Sequence, residues 1–169
     1  MDYAYYLEKF RKSAELLDRE MLNEKHLEIK VGITLNSVFL KLYKREWAND
    51  KADPISATTR IFFSIWVNEN TIRENKVFYN IHALKLRQMK GYSITSREFA
   101  NSFRRDFKKH EQDWENISVK FGPLTLMEGW TELTEENLEN SILKLANNFI
   151  IIEYLIDKTL EKFINNGKK

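Results

Sequence analysis

Two stretches of this chain carry residue types at spacings that could do chemistry. The first is Thr59 to Val67, TRIFFSIWV. Successive side chains of a strand point to opposite faces. Ile61, Phe63, Ile65 and Val67 therefore share one side, and Arg60, Phe62, Ser64, Trp66 and Asn68 share the other. The first side is a core face. The second interleaves rings with a cation. If the flanking strands are neighbours, it also displays Lys41, Tyr43, Arg45, Trp47, Asn80, His82, Lys85 and Arg87. Single-stranded nucleic acid is held by such a surface: bases stack on rings at about 1–3 kcal/mol each while cations follow the phosphates. Three helical segments also need somewhere to pack, and the weightier expectation is that a helix covers this face. Phe62 and Trp66 would then be core, with the cations snorkelling at its rim.

The second stretch is basic. Residues 85 to 110 hold eight cations against Glu98 and Asp106, a net +6 in a chain whose total is +2. At about 100° per residue, Arg97, Asn101, Arg104 and Lys108 fall on one helical stripe opposite a phenylalanine face. A phosphate backbone could lie along it. The plainer reading is a solvated face whose cations complement the helix C-terminus.

Other constellations are weaker. Glu28-x-Lys30 matches the acid-and-lysine spacing of metal-dependent nucleases, but no second metal-binding acid is evident on a nearby strand. His26, His82 and His110 do not pair at ligand spacing, so no metal site is expected. The glutamates at 128, 132, 135, 136 and 139 cluster around the start of the last helix, where they suit its positive end or a basic partner. There is no cysteine, which excludes disulfide scaffolds, thiolate metal sites and cysteine nucleophiles. No glycine-rich phosphate loop, G-x-S-x-G elbow or H-E-x-x-H pattern occurs. No catalytic residue and no cofactor are expected.

These residues need a frame. Positions 3, 7, 10, 14, 17 and 21 lay an apolar stripe along a helix over residues 3 to 22. From Leu27 to Leu35 the period becomes two, and it continues in a second strand from Val38 to Trp47, with Asn36-Ser37 as the tight turn. A loop over 48 to 58 leads to the central strand, and a polar return leads to VFYNIHALKLRQM. There Leu84 and Leu86 are out of phase with Ile81 and Ala83, which predicts a bulge near Ala83-Leu84. Thr95 and Glu98 form a capping-box pattern ahead of a helix that buries Phe99, Ala100, Phe103 and Phe107. A short strand is read at 117 to 121, then LTLMEGW. Thr134 caps the last helix. Its apolar stripe runs to Phe163, and unbroken it would extend about 45 Å. That exceeds the roughly 40 Å breadth expected of such a domain. It must break near Asn147-Asn148, cross the whole body, or project. Its middle, FIIIEYLI, is apolar on more than one side, which suggests burial between layers or in a dimer.

The 169 residues predict a single α+β domain over 1–169. Its antiparallel sheet of four to five strands carries an N-terminal, a middle and a long C-terminal helix. No membrane span is read. The start of the chain lacks a signal-peptide pattern, so a cytoplasmic location is expected. Three functions remain. The leading one is a non-catalytic binding protein for single-stranded nucleic acid or another polyanion. Its site would comprise Lys85, Arg87, Arg97, Asn101, Arg104, Lys108, Trp66 and Phe62. The others are an interaction or homo-oligomerisation module built on the C-terminal helix, and a metal-dependent nuclease-like enzyme. The question dividing them is which side of the sheet the helices cover.

Overall fold

The alternating segments pair with one another in chain order. A computed structural model describes residues 1–165. Strands β1 (Glu28–Thr34), β2 (Ser37–Tyr43), β3 (Arg60–Asn68), β4 (Lys76–Leu84) and β5 (Thr125–Glu132) form one sheet in that order. Every neighbouring pair is antiparallel. Around it lie helices α1 (Tyr3–Glu15), α2 (Arg19–Glu24), α3 (Glu69–Arg73), α4 (Ser96–Phe107), α5 (Leu138–Ile152) and α6 (Tyr154–Glu161). The fold is α+β.

The core lies on one side of the sheet. Val38, Leu40 and Leu42 of β2, Ile61, Phe63, Ile65 and Val67 of β3, and Val77, Tyr79, Ile81 and Ala83 of β4 are buried there. Phe10 of α1, Phe99, Phe103 and Phe107 of α4, and Ile142 and Phe149 of α5 are equally buried. Each such side chain contributes about 1.5–3 kcal/mol. Phe63 stacks on Phe149 with centroids 4.5 Å apart and planes 4° apart. Trp114 wedges against both Phe63 and Tyr79, at 5.9 and 5.0 Å. The Tyr79 hydroxyl passes over Gly129 to donate to the Glu115 carbonyl at 2.6 Å. Any Cβ at Gly129 would collide with that hydroxyl.

Several local expectations are corrected. The second strand ends at Tyr43, and Arg45–Trp47 form a 3₁₀ turn. Arg45 and Trp47 therefore leave the sheet face. Arg45 pairs with Glu28, and Trp47 is buried and donates its Nε1–H to Asp157 at 2.7 Å. The hairpin turn falls on Leu35-Asn36, both at positive φ (47° and 62°), one residue earlier than expected. No bulge is needed at Ala83-Leu84. Lys85 turns left-handed (φ 55°), and this puts Leu86 into the core while Leu84 stays on the other face. The irregularity in β4 lies instead between Ile81 and His82, against β5. The fifth strand is LTLMEGW itself, and Ser118 adds a single bridge to Glu128. Thr95 does cap α4, accepting from the Glu98 amide at 3.2 Å. Thr134 does not cap the last helix: α5 starts at Leu138, and the Thr134 hydroxyl is buried without a partner.

The long C-terminal helix breaks at Glu153, not at Asn147-Asn148. At the break Glu153 binds Lys44 at 2.7 Å, and one turn later Asp157 binds the same ammonium at 2.6 Å. The doubly apolar middle of that helix divides: one side is packed, and the other leaves Ile151 and Tyr154 exposed. Ile152 and Ile156 are both inside this chain's own core. A charge placed on either would therefore disrupt the fold before it could report on a dimer. Among the described residues no helix is long and apolar enough to cross a membrane.

Candidate functional site

Among the described residues, none from a helix lines the groove on the second face of the sheet. This concave groove of about 460 Å³ is lined by residues of all five strands and by Leu35 of the β1–β2 turn. The expectation that a helix covers Phe62 and Trp66 is thus overturned. α1, α4 and α5 all send their apolar stripes to the opposite side. Phe62 is nonetheless well shielded, because its neighbours on the curved face lie over it: Lys41 Nζ 4.5 Å from its ring centroid, and the His82 ring centroid at 5.4 Å.

The strand register arranges this face in rows. One row is aromatic: Phe39 on β2 faces Trp66 on β3, which faces Phe78 on β4, which faces Trp130 on β5. Trp66 and Phe78 stack at 5.0 Å. Gly32 continues the row on β1, and a Cβ there would approach the tip of the Phe39 ring to 3.1 Å. The next row is polar: Lys41, Ser64, Asn80 and Glu128 stand directly opposite one another across β2 to β5. Beyond it Phe62 faces His82, and at the end Arg60 faces Leu84. A polar stripe thus crosses the sheet between ring-bearing rows.

The two ends of that stripe differ in kind. At the β2 end, Lys41 Nζ sits between Phe39 and Phe62, 4.6 and 4.5 Å from the ring centroids. Burial pushes its pKa down to about 8, and the charges felt there, from Arg60 and Lys30, push the same way. The Arg60 guanidinium lies 5.3 Å from the centroid of the same Phe62 ring. It donates Nη1–H to the Ala57 carbonyl, but its Nε–H is buried without a partner. This end therefore offers cationic donors with no acid to neutralise them. At the β4–β5 end, Asn80 donates Nδ2–H to Glu128 Oε1 at 3.0 Å. A carboxylate only accepts, which fixes the amide orientation. Asn80 Oδ1 then faces elsewhere, and it is buried and unpartnered. Such a group carries a desolvation penalty of about 1–3 kcal/mol until it finds a donor. His82 donates Nδ1–H to the Leu124 carbonyl at 3.3 Å, and burial lowers its pKa.

A second cavity of about 460 Å³ adjoins the groove and shares Arg60 and Leu84 with it. Lys85, Arg87 and Ser96 line it. The expected site residues therefore divide. Phe62 and Trp66 lie in the groove, and Lys85 and Arg87 lie next door. Arg97 follows Ser96, while Asn101 and Arg104 lie further along α4, Lys108 lies just past its end, and none of these three lines either cavity. Arg97, Asn101 and Lys108 are exposed. The Arg104 guanidinium is spent inside the molecule: Nε–H donates to the Leu126 carbonyl at 3.0 Å, and Nη2 donates to the carbonyls of Phe121, Gly122 and Thr125 at 2.8–3.1 Å. It clamps the approach to β5.

Lys41, Arg60 and Asn80 belong to the face read from alternation, yet they stand outside the expected site, which was weighted toward α4. Glu128 was assigned to helix-end electrostatics. The alternation of Leu126, Glu128 and Trp130 with Met127 and Gly129 was the available signal that it sits on a strand. A somewhat larger cavity of about 500 Å³ lies beside Asp2, Tyr5, Arg73 and Glu135. None of its lining side chains holds a buried unpartnered polar atom, so the groove is the better candidate. Among the described residues no cluster of three or more potential metal ligands occurs. Comparison of the chain with family models, with curated proteins and with solved structures gives no match.

Proposed function

We propose that this chain is a non-catalytic binding protein that uses the open sheet face to take an anionic ligand bearing flat rings, with single-stranded nucleic acid as the polyanion it fits best. The observation that carries the reading is Lys41, an ammonium held between two phenyl rings with only cations near it. A partly desolvated cation attracts an anion more strongly than one in bulk water. The partly exposed rings of the aromatic row, Trp66, Phe78 and Trp130, would supply stacking at about 1–3 kcal/mol per base. Lys85 and Arg87 in the adjoining cavity would carry the cationic path on from Arg60. The volume suits one or two ring-bearing units rather than a folded partner.

The α4 stripe enters this reading only as a rim. Arg97 and Lys108 can add long-range attraction, whereas Arg104 has its donors committed to carbonyls. The nuclease alternative loses ground because the Glu28 carboxylate is paired with Arg45. The test is anisotropy of a labelled single strand at two or more salt concentrations. The expected result is binding that falls steeply with salt, and a salt slope reduced by about one in Lys41→Met. Absence of binding to every single strand tried, at low salt, ends the reading.

A further inference from the structure

The polar stripe has a polarity of its own. At its β2–β3 end lie donors, Lys41 Nζ in the stripe and, two rows along β3, Arg60 Nε, with the Ser64 hydroxyl able to donate or accept. Its β4–β5 end is dominated by acceptors: Asn80 gives one of its two Nδ2–H groups to Glu128, and the acceptors there outnumber the one amide donor left. Asn80 Oδ1 is unpartnered, and a carboxylate has about four acceptor positions, of which Asn80 takes one. Neighbouring strands lie about 4.8 Å apart, so Lys41 and Asn80, two strands removed, are separated by about 10 Å. That is comparable with the span from the pairing edge of a nucleobase to its 5′ phosphate. Ser64, small and between them, leaves room for a flat ring in the stripe, with ring-bearing rows on either side.

We infer that the groove is a base-reading pocket selective for guanine nucleotides: the guanine N1–H and N2–H donate to Glu128 and Asn80 Oδ1, and the phosphate lies against Lys41 and Arg60. The inference rests on the proposed nucleic-acid reading and names the base that reading leaves open. The choice among bases follows from donor count. Adenine and cytosine each set an acceptor nitrogen beside their one amino group on the pairing edge, and that acceptor would meet a carboxylate. Uracil has one donor between two carbonyl oxygens. Guanine alone of the four places two donor nitrogens side by side. A site built from acceptors rejects a ligand lacking the donor more strongly than it rejects a change of apolar size, since its buried groups are left unpaired.

The experiment is titration of the full chain with GMP, IMP, AMP, CMP and UMP, followed by intrinsic tryptophan fluorescence and repeated by calorimetry. The expected order places GMP first by at least tenfold, with IMP weaker because it lacks the 2-amino group. Glu128→Gln should bring GMP affinity down to that of UMP while leaving the melting temperature within a few degrees. Asn80→Asp, which keeps an acceptor at the same place, should retain a preference for GMP over UMP. Equal affinity for all five nucleotides, lost in Lys41→Met, overturns guanine selectivity while the anion-binding reading stands. No binding of any nucleotide or single strand overturns both.

Discussion

The two faces of β3 are made from the same nine residues and have opposite fates. On one, Phe63 and Ile65 are sealed under α5, with a phenyl ring stacked flat on Phe149. The polar atom in that layer, the Tyr79 hydroxyl, has its carbonyl. On the other face, Phe62 and Trp66 share a groove with an unpaired ammonium, an unpartnered guanidinium nitrogen and an unpartnered amide oxygen. The proposed site is on the face where hydrogen-bonding capacity is left over.

Substitutions on the two faces should separate stability from binding. Phe63→Ala removes a stacked, fully buried ring and should lower unfolding stability by about 3–5 kcal/mol in a denaturant titration. Trp66→Ala should lose only about 1 kcal/mol of stability, yet it should remove most ring-dependent ligand affinity. Equal losses of stability would mean that the second face is structural after all.

The same contrast applies within the basic stretch. Arg104→Ala strips four carbonyls of their donor and should cost about 2–3 kcal/mol, at about 1 kcal/mol or less for each bond. Arg97→Ala and Lys108→Ala, on exposed positions near the start and just past the end of the same helix, should stay within about 0.5 kcal/mol. Thermal melts of the three variants check this directly.

The groove ammonium predicts a pH dependence whose sign follows from its lowered pKa. Below about pH 8 Lys41 is charged, and it loses its proton as the pH rises past that value. Affinity for an anion should therefore fall between pH 7 and 9.5. Lys41→Arg, which cannot deprotonate in this range, should flatten the profile. For folding itself the sign is opposite. The folded state binds fewer protons than the unfolded state between about pH 8 and the ordinary lysine value of about 10.4, so this group makes stability rise with pH across that window. Lys41→Met should remove that contribution.

The smallest effect is expected at the hairpin tip. Leu35 and Asn36 both adopt positive φ, which suits Asn-Gly far better than Leu-Asn. Leu35→Asn should stabilise the fold by a few tenths of a kcal/mol. Because Leu35 lines the mouth of the groove, a change in ligand affinity in this variant would extend the site to the turn.

Much of this architecture was legible in residue spacing. Period two marks β1, β2, β3 and most of β4, and the stripes of α1 and α4 follow from apolar spacing and a threonine cap. What spacing could not decide was the side on which the helices pack. β3 carries aromatics on both faces, and three apolar stripes do not say whether they share a layer. The left-handed Lys85 was also hidden, because a bulge and a left-handed turn produce the same shift of phase between Leu84 and Leu86. Alternation alone places Phe62 and Trp66 on the open face. Lys41, Asn80 and Glu128 become one stripe only once the register sets them opposite each other. Local sequence made the Arg97 to Lys108 stripe look uniform, whereas the fold assigns Arg104 to the loop before β5.

The central claim is that the open sheet face, not the α4 stripe, holds the ligand. It is tested most directly by measuring single-strand affinity at fixed salt in two charge variants. One is Lys41→Met with Arg60→Met, and the other is Arg97→Glu with Lys108→Glu. Binding that falls at least tenfold in the first pair and only a few-fold in the second is the predicted result. Binding that survives in the first pair and vanishes in the second would contradict the account.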